Sequence, residues 1–150
     1  MSDDFSKYEI ACEQIRHQNA ELLSDFRDWL NGKSLSETTV QKHVDNIDFY
    51  VNEYLLYEDA IAAADGCMDA GMFLGDWYIR KAAWTSEASI RGSAASLKKF
   101  YTFMQEKGLV QEEDVQELHK MIKVEMPEWL ATLRRYDDPS IEDSEEIWGR

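Results

Sequence analysis

Apolar residues along this chain recur at steps of three and four, and no alternating run of strand type occurs, so the pattern predicts an all-α protein. Phe5, Tyr8, Cys12, Ile15, Leu22, Phe26 and Leu30 form one stripe and predict a helix over about 5–30. Asn19 interrupts that stripe and is a candidate break, which would divide the helix in two. Ser2, Asp3 and Asp4 offer caps and acids at its N-terminus, and Gly32 is a natural left-handed terminator. A second helix is predicted from Ser36 to about Tyr57, with Val40, Val44, Ile47, Val51 and Leu55 on its buried face.

The pattern is less regular over 58–84. Residues 60–64 favour a short helix, Asp65 and Gly66 a turn, and 68–83 another helix in which Gly71 and Gly75 let a neighbour approach closely. The next helix is the best defined. Thr85 or Ser86 caps it, and Ile90, Ala94, Leu97, Tyr101 and Met104 line its buried side. Gly108 ends it, and Leu109 and Val110 are placed to seal the terminus. A fifth helix covers about 112–124 with Val115, Leu118, Met121 and Ile122 inward. Pro127 suits the first turn of a sixth, which would bury Trp129, Leu130, Leu133 and Tyr136. The expectation is one domain of five or six helices over 1–136, followed by an acidic, mobile tail at 137–150.

Composition narrows the classes of function. A chain of 150 residues that is 44% hydrophobic and 12% aromatic has ample material for a core, which argues against wholesale disorder. Its longest unbroken apolar run, residues 60–64, is too short to span a bilayer, so no membrane role is expected. The first thirty residues lack the apolar core of a secretory signal, and two cysteines cannot frame a disulfide scaffold. A cytoplasmic location is the resulting expectation. Thirty acids against sixteen Lys and Arg give a net charge of -14, which disfavours general attraction to phosphate backbones or anionic lipid. Residues 86–110 reverse that sign: Arg91, Lys98, Lys99 and Lys107 outnumber Glu87 and Glu106. Arg91 and Lys98 are seven apart and share a helix face. Those cations either form an anion-binding face or complement the helix dipole and stay solvated.

Other candidates for chemistry are sparse. Glu9, Glu13 and His17 lie on one helical face but lack a further ligand, and His43 and His119 have no partners at zinc-binding spacing. Cys12 falls on the apolar stripe, whereas Cys67 follows Gly66 in a turn where it could be exposed. No glycine-rich phosphate loop occurs, and no metal or small-molecule cofactor is expected. The five tryptophans either include some that line an exposed interaction patch or mostly bury and keep one polar edge wet.

Two stretches together resemble the N-terminal core-binding domain, a SAM-like helical fold, of tyrosine recombinases and phage integrases. The first is Phe26-Arg-Asp-Trp-Leu30, then Leu35-Ser-Glu-Thr-Thr-Val40, Ile47 and Phe49-Tyr50. The second is Ser89-Ile90 through Leu97-Lys-Lys-Phe-Tyr-Thr-Phe-Met104, then Glu106-Lys-Gly-Leu-Val110. The likeness covers about 22–57 and 86–110, within a family-like part of about 22–110. In that family the second and fourth helices lie against DNA and form half of a clamp, with a catalytic domain as the other half. Nothing after Val110 resembles the catalytic set, so the resemblance implies a non-enzymatic module. It also implies weak, salt-sensitive binding of duplex DNA through the helix at 86–107, assisted by the helix at 36–57. Lys42, His43, Arg91, Lys98 and Lys99 are the cations near the expected face. This chain has Val44, Asp45, Gly92 and Ser93 where the family often carries basic pairs. Four neutralised phosphates would give a salt slope of only about -3.6. The alternative is an acidic protein-interaction module on the same scaffold, which binds a basic or DNA-binding partner or a second copy of itself.

Overall fold

The computed structural model describes residues 2–82 and 84–137; the acidic segment 138–150, with Ile141, Ile147 and Trp148, lies outside the described residues. The described chain is all-α, with five helical runs and no strand among its residues. Helix α1 spans Ser2–Asn31, and α2 spans Glu37–Asp48 and continues as a π-helical turn, Phe49–Tyr54. A run at 70–81 is assembled from α3 (Ala70–Met72), a second π-helical turn (Phe73–Trp77) and α4 (Tyr78–Lys81). Helices α5 (Glu87–Glu106) and α6 (Glu112–Asp137) complete the bundle. Helix α5 packs on both α2 and α6, and α1 packs chiefly on α2. Its predicted stripe is buried along its whole length, and Phe100 and Phe103 extend it towards Phe26 of α1.

Capping follows the local chemistry. Ser36 accepts from the Thr39 amide at the start of α2, and Ser86 and Ser89 form a reciprocal capping box at the start of α5. Gly108 takes φ +79°, and its amide and that of Leu109 bond back to Gln105 and Met104. Val110 then buries, while Leu109 stays exposed. At the end of α1 the left-handed residue is Ser34 (φ 61°), not Gly32. Gly32 instead continues the helical hydrogen bonding to Asp28.

Asn19 does not break α1. It is only 1% exposed, and its Nδ2 donates to the Val51 carbonyl and to Asn52 Oδ1 on the π-helical turn. Its Nδ2 is thus satisfied across the interface, while its Oδ1 is buried with no partner among the described residues. Phe5 is exposed, so the stripe becomes a core only from Cys12 onward.

The expected short helix at 60–64 is a 3-10 turn at Ala63–Asp65, followed by another at Cys67–Asp69. Two buried tyrosines hold this segment: Tyr50 Oη donates to the Gly66 carbonyl (2.6 Å) and Tyr101 Oη to that of Ala63 (2.7 Å). Cys67 is buried rather than exposed, and desolvation, with Asp114 nearby, pushes its thiol up to about 12. Such a thiol is inert. Close approach at Gly71 and Gly75 is realised by α6. A Cβ at Gly71 would lie 2.8 Å from Met121 Sδ, and one at Gly75 would lie 2.5 Å from Trp129 Cδ1.

The sixth helix expected at Pro127 does not exist as a separate element, because α6 runs through the proline. Val115, Leu118, Ile122, Trp129 and Leu133 keep one phase across it and all bury. Pro127 and Lys123 are both exposed, so the carbonyl left without its helical donor faces the wet side of the helix. Tyr136, expected to bury, is exposed.

Candidate nucleic-acid interface

Helix α5 presents its buried stripe to α2 and α6, which places Arg91 and Lys98 along the seam with α6. A groove of about 690 Å³ follows that seam. Its apolar lining comes from Ile122, Met126 and Leu130, and its polar lining is cationic or imidazole: Arg91, Lys98, His119, Lys123 and Arg134. No carboxylate lines it. At one end Glu87 pairs with both guanidinium groups, Oε2 with Arg91 (3.3 Å) and Oε1 with Arg134 (3.3 Å). These pairs are exposed, and exposed pairs of this kind are worth roughly 0–1 kcal/mol, little enough for a competing anion to displace.

A second groove, about 550 Å³, is bordered by Trp29, Lys33, Lys98, Lys99, Thr102 and His119. Lys33 Nζ sits 4.5 Å from the centre of the Trp29 ring, and Trp29 Nε1 donates to Glu106 Oε1 (3.0 Å). Glu106 is the single carboxylate lining this groove. Lys98 and His119 line both grooves, which are therefore contiguous. Six of the sixteen Lys and Arg residues border this continuous path.

The five residues expected from the sequence do not line one groove. Arg91, Lys98 and Lys99 lie along the joined grooves. Lys42 lines a different groove between α1 and α2, in the company of Arg27, Glu37 and Asp45. His43 packs against α5. Its Nδ1 lies 2.7 Å from Ser96 Oγ, and burial, with Lys99 nearby, lowers its pKa below the ordinary 6.5. The imidazole is neutral at pH 7 and ties α2 to α5, where Asn46 Nδ2 also donates to Ser96 Oγ.

Lys33, His119, Lys123 and Arg134 were not legible as site residues. Three of them come from α6: 119 and 123 fall on the outward side of the helix expected at 112–124, and the expected restart at Pro127 hides that 134 shares their phase. The signal that retains them is the unbroken apolar stripe from Val115 to Leu133.

Among the described residues no group of three potential metal ligands is assembled, and no helix is long and apolar enough to cross a membrane. No protein-family model, no characterised protein sequence and no solved structure matches this chain.

Proposed function

We propose that this protein is a non-catalytic DNA-binding module that grips the phosphate backbone of a duplex along the joined grooves of α5, α6 and the end of α1. The observation that carries this reading is the sharing of Lys98 and His119 by two grooves, which gathers six Lys and Arg into one path on a strongly acidic protein. Complementing helix dipoles accounts for single cations near helix ends, but not for cations from three elements converging on one path of a chain with a net charge of -14. Charges farther than about 8 Å from the contact are largely screened at physiological ionic strength, so the acids elsewhere do not forbid local binding. They remove long-range steering, and the association is accordingly slow and weak.

The resemblance to integrase core-binding domains supports the same reading through α5, which stands where that family has its fourth helix. The α2 contribution differs, since Lys42 lies outside the joined grooves and His43 is uncharged. Helix α6 and Lys33 take its place.

The test is a gel-shift series with a duplex of about thirty base pairs between 50 and 200 mM salt. Six neutralised phosphates predict a slope near -5.4 and a loss of affinity of about 10³ over that range. The triple variant Lys98→Ala, Lys99→Ala, Lys123→Ala is expected to flatten the slope by about 2.7. A wild-type protein that gives no salt-sensitive shift, or a triple variant that shifts DNA equally well, overturns the reading and leaves the acidic interaction module in its place.

A further inference from the structure

A different pocket lies where the π-helical turn after α2 meets the run at 70–81. It has a volume of about 380 Å³, and three aromatic rings stand in its wall: Tyr54, Tyr57 and Trp77. Trp77 meets Tyr54 at 5.2 Å and 65°, and Tyr57 at 5.5 Å and 71°, so the rings are set edge-to-face around one indole. Four carboxylates share the lining, those of Glu58, Asp59, Asp69 and Asp76. Arg80 also lines the pocket, and it neutralises Asp76 through a two-pronged contact at 2.9 and 3.0 Å, which leaves three carboxylates to set the charge of the wall. Glu58, Asp59 and Asp69 make no ion pair among the described residues. Leu55, Ile61 and Met72 complete the apolar part of the wall.

We propose that this pocket binds an alkylated ammonium cation, with the methyl groups against Tyr54, Tyr57 and Trp77 and the charge balanced by Glu58, Asp59 and Asp69. Ring faces carry negative electrostatic potential and attract a cation within about 6 Å of their centres. A primary ammonium must surrender strong hydration to enter such a site, whereas an alkylated one presents methyl groups to the rings and to Leu55, Ile61 and Met72. The carboxylates supply the net negative charge that an apolar cage alone lacks. One of these rings already stands beside an ammonium: Lys81 Nζ lies 5.4 Å from the centre of Tyr57 and 3.4 Å from its Oη. Lys81 does not line the pocket and leaves the cavity open. This site shares no residue with the cationic grooves, so it stands or falls independently of DNA binding.

The experiment is a titration of the full chain with tetramethylammonium chloride, followed by amide and indole NMR shifts, against sodium chloride at equal ionic strength. Shifts are expected at the Trp77 indole and at backbone amides over 54–61 and 69–80, saturating with tetramethylammonium alone. Tyr57→Ala, at a half-exposed ring whose loss the fold tolerates, is expected to weaken binding about threefold to tenfold. Asp69→Asn is expected to weaken it less and to reduce its dependence on salt. Choline and a glycine-serine peptide bearing one trimethyl-lysine distinguish a free ammonium from a protein-borne one, the tighter binder identifying the source. The proposal is overturned if tetramethylammonium acts no differently from sodium, if methylammonium or guanidinium binds more tightly, or if Tyr57→Ala binds as well as wild type.

Discussion

His43 shows how one side chain can look like a ligand-binding cation and serve a packing role. Its ring nitrogen meets Ser96 Oγ in the seam between α2 and α5, and burial there penalises the imidazolium. With its pKa lowered in the fold, the unfolded chain binds the proton more readily. Stability from this group is therefore fully present above about pH 6.5 and is lost as the pH falls from there through the lower folded value. Urea melts across that window are expected to show falling stability in the wild type. In His43→Gln, which keeps a polar partner for Ser96 without a titrating proton, that component should be missing; an unchanged pH profile in the variant contradicts the assignment. Asn19 makes the same point without charge. Read alone it is a defect in an apolar stripe, but the Val51 carbonyl and the Asn52 side-chain oxygen accept from its Nδ2 and make it a buried link between α1 and the turn after α2.

Among the elements, the glycines separate intrinsic helix cost from packing. Gly92 lies inside α5, and a Cβ there meets nothing within 4 Å. Gly92→Ala is expected to stabilise the protein by about 1 kcal/mol, the difference in helix propensity, and to raise Tm by roughly 2–4 °C. Gly75 sits in the run at 70–81 directly beneath the Trp129 indole, a rigid group that cannot yield to an added methyl. Gly75→Ala is expected to destabilise by about 1–3 kcal/mol through overpacking. Calorimetry on the pair checks both signs, and equal shifts would mean that α6 does not rest on Gly75. Most elements were legible from their periodicity: α2 and α5 run close to their expected spans, and the helix expected at 68–83 is observed at 70–81. Pro127 was misleading because the rule that proline starts helices is local, whereas the stripe from Val115 to Leu133 spans five turns. Burial of Trp129, Leu130 and Leu133 outweighs one lost hydrogen bond on an exposed face.

Across the whole molecule, charge is sorted rather than uniform. Cations gather along the grooves of α5 and α6, and carboxylates surround the aromatic pocket beside the run at 70–81. A net charge of -14 on 150 residues also repels itself in the compact state. Raising sodium chloride from 20 to 300 mM shortens the screening length and is expected to raise Tm by about 2–4 °C, as read by circular dichroism. Under the proposed function the same change would weaken DNA binding, so fold and complex would respond to salt with opposite signs. A Tm that falls with added salt would show that attractive ion pairs, not repulsion, dominate the surface.

The amino-acid sequence by itself determined that the described chain is helical, where α2 and α5 run, and that Gly71 and Gly75 admit a close neighbour. These follow from apolar spacing, capping residues and glycine, all of which act within a few turns of one helix. Only the tertiary structure decided which cations meet. Lys42 and Lys99 are separated into different grooves, Lys33 and Lys123 are brought to the path around Lys98, and His43 is neutralised. Such outcomes depend on the rotation of one helix against another and on the water removed between them, and neither quantity is encoded within a single helix.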